Sequence, residues 1–135
     1  MMLALFAATV HAAPVQITVT GMRNTDGMLR LFAYSSEEGF PVQPDKAQVR
    51  GAWPTQAGPQ TVSIDLPPGT WAISLLHDED GDGTLDTNFI GMPREGVGAS
   101  VRPGHSRFGP PRFSDATFVM GDVPRVLTIK LAYLL

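Results

Sequence analysis

The sequence contains no cysteine, which excludes disulfides, thiolate metal centres and a lipid-anchored N-terminal cysteine. It has no excess of positive charge either. Ten Lys and Arg against 13 Asp and Glu give a net charge of −3, so the overall electrostatics favour neither nucleic acid nor an anionic membrane surface as a partner. No apolar run reaches the ~20 residues needed to span a bilayer. No phosphate-cradling glycine loop occurs, and no stretch keeps a helical period. What is abundant is turn punctuation: 14 Gly and 12 Pro in 135 residues, in a chain 43% hydrophobic and 17% charged. That is the length of one domain, able to bury about two thirds of its unfolded surface in a single core, and its composition points to a β protein.

Residues Met1 to Ala12 are almost wholly apolar and end in Val10-His11-Ala12 before Ala13-Pro14. This small-residue pattern reads as a signal peptide cleaved after Ala12, leaving a mature domain of residues 13–135 that is periplasmic or secreted and not inserted in a membrane. Short alternating apolar runs then recur between turns. They predict strands at Val15–Thr20, Met28–Tyr34, Ala47–Trp53, Thr61–Leu66, Trp71–His77, Ala116–Met120 and Val126–Tyr133. Two antiparallel sheets packed face to face would bury Trp71, Ile73 and Leu75 on one side of their strand and leave Ala72 and Ser74 on the other. The reading is therefore an all-β sandwich of about seven strands with one long loop, the 37 residues Asp78 to Ser114, which are too polar and glycine-rich for a run of strands. Loops of that length need something to hold them.

The start of the loop suggests what that could be. Counting Asp78 as position 1, acids recur as Asp80, Asp82 and Asp86 at positions 3, 5 and 9, with Gly83 at 6 and the Thr84 carbonyl at 7. Hard cations take six to eight oxygen ligands, and this spacing converges on one ion when the chain turns at the glycine. Position 12 is Phe89, where a helix–loop–helix calcium hand has its bidentate Glu, so the segment is not an EF-hand. A site here must borrow a ligand, Glu95 first and Asn88 second. The ion would be Ca²⁺, held weakly, with a dissociation constant on the order of 10⁻⁴ to 10⁻³ M. Two alternatives stay open: the acids pair with Arg94, Arg102, Arg107 and Arg112 downstream, or the segment is a solvated Asp-Gly turn. Crowding argues against the plain turn, because two carboxylates about 4 Å apart repel by roughly 1 kcal/mol even in water.

Catalysis has weaker support. His77 with Asp78 and Ser100, Ser106 or His105 could be written as a triad, but triads are defined by geometry and no nucleophile elbow is present. His77 reads instead as a hydrogen-bonded residue at the rim of the core. His77 and His105 lack zinc-site spacing, and clustered carboxylates favour Ca²⁺ or Mg²⁺. Phe113 and Phe118 read as core plugs, and Trp53 as a residue at an exposed sheet edge.

Three blocks carry a resemblance. They are Gly69-Thr70-Trp71 through His77-Asp78-Glu79-Asp80; Gly83-x-Leu85-Asp86 through Gly91-Met92-Pro93-Arg94-Glu95-Gly96-x-Gly98-x-Ser100; and Gly109-Pro110-Pro111-x-Phe113, with Glu38-Gly39-Phe40-Pro41 before them. Over nearly the whole mature chain these resemble the exported bacterial family called domain of unknown function 2141. The resemblance implies a leader peptide and an immunoglobulin-like or transthyretin-like sandwich, with no established activity. The family often has Asn where this chain has Asp80 and Asp82, while Glu95 and Ser100 match its pattern, which adds weight to Glu95 as the returning ligand. Together these readings describe a non-enzymatic module with a structural cation site at Asp78, Asp80, Asp82, Thr84, Asp86 and Glu95. The alternative is a metal-free module that binds a protein or glycan through an arginine-paired loop.

Overall fold

In the computed structural model the described residues are 11–81, 95–102 and 110–133. Eight strands form among these residues: β1 (Ala13–Thr20), β2 (Met28–Tyr34), β3 (Val49–Pro54), β4 (Gln60–Leu66), β5 (Gly69–Asp78), β6 (Gly96–Ala99), β7 (Phe118–Met120) and β8 (Arg125–Lys130), with a one-turn helix α1 (Phe113–Ala116) before β7. They make two sheets, β4-β1-β8 and β3-β2-β5-β6, with β7 added to the start of β5. The expected all-β sandwich is therefore the fold found. Alternation explains the layers, since β1 and β4 each read buried–exposed along their length because successive side chains point to opposite faces. Val15, Ile17 and Val19 are fully buried and meet Leu29, Leu31 and Ile73 of the other sheet in one core.

Three expectations need correction. First, β1 and β8 pair in parallel, Ile17 against Leu127 and Ile129 against Val19, so the sheets are not both antiparallel. Parallel pairing lets the last strand close beside the first. Second, β5 is buried on both faces. Its outer face carries a second cluster of Phe32, Tyr34 and Leu76, covered by Phe40, Ala47, Val97 and Phe113. The rings of Phe40 and Phe113 meet edge to face at 5.9 Å, so Phe113 is a plug, but for this outer cluster. Phe118 serves the main core. Trp53 does lie on the edge strand β3, yet it is half-buried against the main core rather than exposed.

Third, the span from Asp78 to Ser114 is not loop throughout. Residues Gly96–Ala99 are β6, antiparallel to β5 with His77 opposite Gly96 and Ser74 opposite Ala99, and Phe113–Ser114 open α1. The strand had no hydrophobic alternation to show because its inward positions are glycines. A Cβ on Gly96 would stand 2.5 Å from the Tyr133 ring, and one on Gly98 would stand 2.8 Å from Ile129. The volume a strand side chain would fill is taken by residues from the C-terminal segment.

Candidate functional site

Because β5 and β6 are consecutive and antiparallel, the chain leaves the sheet at Asp78 and returns to the same place at Glu95. Residues opposite each other in a sheet share a face, so continuing the register from His77 and Gly96 puts Asp78 and Glu95 across from one another on the outer face. Both carboxylates are buried, Asp78 completely and Glu95 to 4% exposure. Asp80 is exposed. Oxygen atoms from Asp78, Asp80 and Glu95 all lie within 4.8 Å of one another. Three of the six expected ligand residues thus come together. The other three, Asp82, Thr84 and Asp86, lie outside the described residues, as do Asn88, His105 and Ser106.

Burying a carboxylate costs heavily unless it is paired and hydrogen-bonded, and each buried acid has a visible partner. Arg30 on β2 gives its Nε–H to Asp78 Oδ2 at 2.7 Å. The register explains the contact: Met28 lies opposite Asp78 and Arg30 opposite Leu76, so Arg30 reaches Asp78 diagonally on one face. Asp78 Oδ1 is also buried and accepts no hydrogen bond from the described residues. Glu95 Oε2 accepts the Glu79 backbone N–H at 2.5 Å, which ties the two ends of the connection together.

Glu79 turns the other way. Arg23 holds it through two bonds, Nη2 to Oε1 at 2.6 Å and Nε to Oε2 at 3.3 Å, and Asn24 Nδ2 donates to Oε2 at 2.6 Å. Burial pushes the Glu79 carboxyl up, but the Arg23 and Asn24 hydrogen bonds outweigh it and hold the group below the ordinary glutamate value. The same bond to Glu79 raises the Arg23 guanidinium. Two arginines, one from the β1–β2 turn and one from β2, thus pair with the start of the acidic stretch; of the downstream arginines, Arg94 and Arg107 lie outside the described residues. Among the described residues, neither Arg102 nor Arg112 forms an ion pair.

His77, on the inner face, is fully buried. Its Nε2 lies 2.7 Å from the Asp26 carbonyl oxygen, an acceptor only, so Nε2 carries the proton and donates. Its Nδ1 then accepts from the Tyr133 hydroxyl at 2.6 Å, and that hydroxyl accepts the Arg23 N–H at 3.2 Å. Burial raises the Tyr133 phenol above its ordinary value. Both ring nitrogens are engaged, as expected of a structural histidine. Ser100 does not meet it: Ser100 Oγ accepts the Ile73 N–H at 2.9 Å and donates to the Ala116 carbonyl at 2.7 Å. Ile73 is four residues back along the strand from His77, about 13 Å at the usual rise. Ser100 instead pins β5 to α1.

A two-sheet β-sandwich with buried carboxylates at the base of one strand-to-strand connection defines the class of this protein: a small all-β module. The chain belongs to the family described as an uncharacterized protein conserved in bacteria, domain of unknown function 2141, whose pattern matches residues 17–127. No curated protein and no solved structure matches it.

Proposed function

We propose that this is an exported β-sandwich module whose β5–β6 connection is organised by a divalent cation, with Ca²⁺ as the ion. The observation that carries the reading is the convergence of Asp78, Asp80 and Glu95 oxygens within 4.8 Å; the sequence that follows Asp80 adds Asp82, Thr84 and Asp86 at ligand spacing. An all-oxygen donor set on a glycine-rich turn suits Ca²⁺ rather than Zn²⁺. The ion's role is structural: it neutralises the acids and fixes the connection on which a protein or glycan partner would be met. Export is supported by the apolar leader, and because β1 begins at Ala13 cleavage after Ala12 leaves the first strand whole. The mass of the mature protein from the host cell envelope should correspond to a chain beginning at Ala13; an intact Met1 start would refute export by cleavage. No helix among the described residues is long and apolar enough to cross a membrane.

Thermal unfolding in EDTA against millimolar Ca²⁺ tests the cation. With free ion at ten times the dissociation constant, binding adds about 1.4 kcal/mol, which raises the melting temperature by about 4–8 °C in a domain of this size. Equal melting under both conditions would instead support a second reading. In that reading the module is metal-free, its loop is held by the Arg30–Asp78 and Arg23–Glu79 pairs, and added salt of any kind lowers its stability through the more exposed Arg23–Glu79 pair.

A further inference from the structure

After β8 ends at Lys130 the chain changes partners. The Leu131 N–H still donates to the Thr20 carbonyl of β1 at 2.8 Å, but Ala132 exchanges two bonds with Val97 of β6, at 3.0 and 2.9 Å. The chain thus crosses from one sheet to the edge of the other. Tyr133 then reaches three separate elements. Its ring lies on Gly96, where a Cβ would stand 2.5 Å away, and beneath the Arg23 guanidinium at 4.5 Å. Its hydroxyl joins His77 of β5 to the Arg23 N–H of the β1–β2 turn.

We propose that Ala132–Tyr133 is a clasp that swings off β6 and off Arg23, freeing β6 to open, while Leu131, buried to 2% exposure in the main core, and the remainder of the sandwich stay folded. Elements with few buried apolar contacts open at lower free energy than the core. β6 has four residues, three of them half-buried, and its backbone pairing with the clasp is one isolated bridge. β1, by contrast, places three completely buried side chains in the core and pairs along both edges. Opening the clasp uncovers two things at once: the outer edge of β6, a row of backbone donors and acceptors able to receive another strand, and His77, whose ring is otherwise sealed. A cation held by Asp78 and Glu95 would oppose the opening, because Glu95 immediately precedes β6.

Native-state hydrogen exchange, followed residue by residue in EDTA, tests it. In the wild-type protein the Val97 and Ala132 amides should exchange with little dependence on low urea, because local opening exposes little surface, whereas the protected β1 and β4 amides should follow global unfolding. Tyr133→Phe keeps the ring on Gly96 and removes both hydroxyl bonds. It should speed exchange at Val97 and Ala132 by about 5–30-fold, the equivalent of one or two hydrogen bonds, and leave β1 and β4 unchanged. Gly96→Ala, which displaces the ring sterically, should act on the same two amides. Equal acceleration across all strands, urea dependence of Val97 and Ala132 matching that of β1, or unchanged exchange at both amides in Tyr133→Phe would overturn the proposal.

Discussion

Replacing Gly27 with alanine should cost on the order of 2–5 kcal/mol, the sum of a left-handed backbone penalty and an overpacked contact. Gly27 closes the Asn24-Thr25-Asp26-Gly27 turn with φ of +66°, a conformation unfavourable for L side chains. The larger part is steric. A Cβ there would fall inside contact distance of the Asp78 carbonyl oxygen and stand 2.7 Å from that of Glu79, and both obstacles are backbone atoms of the segment that opens the site. The turn cannot retreat easily, because the Gly27 carbonyl accepts both the Thr55 N–H and its hydroxyl at 3.2 Å. Gly58 provides the control: its φ is +73°, yet nothing lies within 4 Å of an added Cβ, so Gly58→Ala should cost only about 1–2 kcal/mol. Urea unfolding of the two variants separates backbone conformation from collision. Equal losses would show that the turn and the start of the acidic stretch are not locked together.

The second large effect concerns the buried ion pair. Asp78→Ala should cost about 2–4 kcal/mol, because breaking a buried pair leaves the remaining charge uncompensated; the estimate sits below the fully buried range because Arg30 is 26% exposed. Replacing both partners by apolar residues of similar size, Arg30→Met with Asp78→Leu, should recover most of that loss, since matched apolar replacements of buried pairs are often neutral. A double-mutant cycle measured in EDTA reads the coupling directly. The double variant should also lose any Ca²⁺-dependent rise in melting temperature, because it lacks a central ligand. A loss below about 1 kcal/mol for Asp78→Ala, outside the range for broken buried pairs, would mean that the Arg30 contact contributes little to the fold.

Much of this architecture was legible in the chain. The alternation of Val15, Ile17 and Val19 reads directly as a strand with one buried face, and β2 spans the expected Met28–Tyr34, whereas the last strand runs from Arg125 to Lys130 and stops short of the expected Tyr133. β6 was illegible for a physical reason: Gly96 and Gly98 carry no hydrophobic signal, since the Tyr133 ring and Ile129 occupy the space their side chains would take. The second face of β5 was hidden because its cover, Phe40 and Phe113, comes from distant segments. At the site, Asp78, Asp80 and Glu95 could be singled out by acid spacing and proximity. Arg30 and Arg23 could not. They stand 48 and 56 residues from their partners and reach them through the β2–β5 register and the path of the β1–β2 turn, which no local pattern specifies. His77 could be placed at the core rim from strand alternation, but its bond to Tyr133 depends on the C-terminal crossing between sheets.

The most direct test is a Ca²⁺ titration of the mature protein followed by backbone amide NMR shifts, with Glu95→Gln in parallel. Glutamine preserves an acceptor for the Glu79 N–H and removes the charge. Saturable shifts concentrated at Asp78 to Gly81 and Glu95 to Gly96, with a dissociation constant on the order of 10⁻⁴ to 10⁻³ M and at least about tenfold weaker in Glu95→Gln, are the predicted result. No saturable shift up to about 10 mM Ca²⁺, well above the weakest such sites, or equal binding by Glu95→Gln, would contradict a cation site built on these residues.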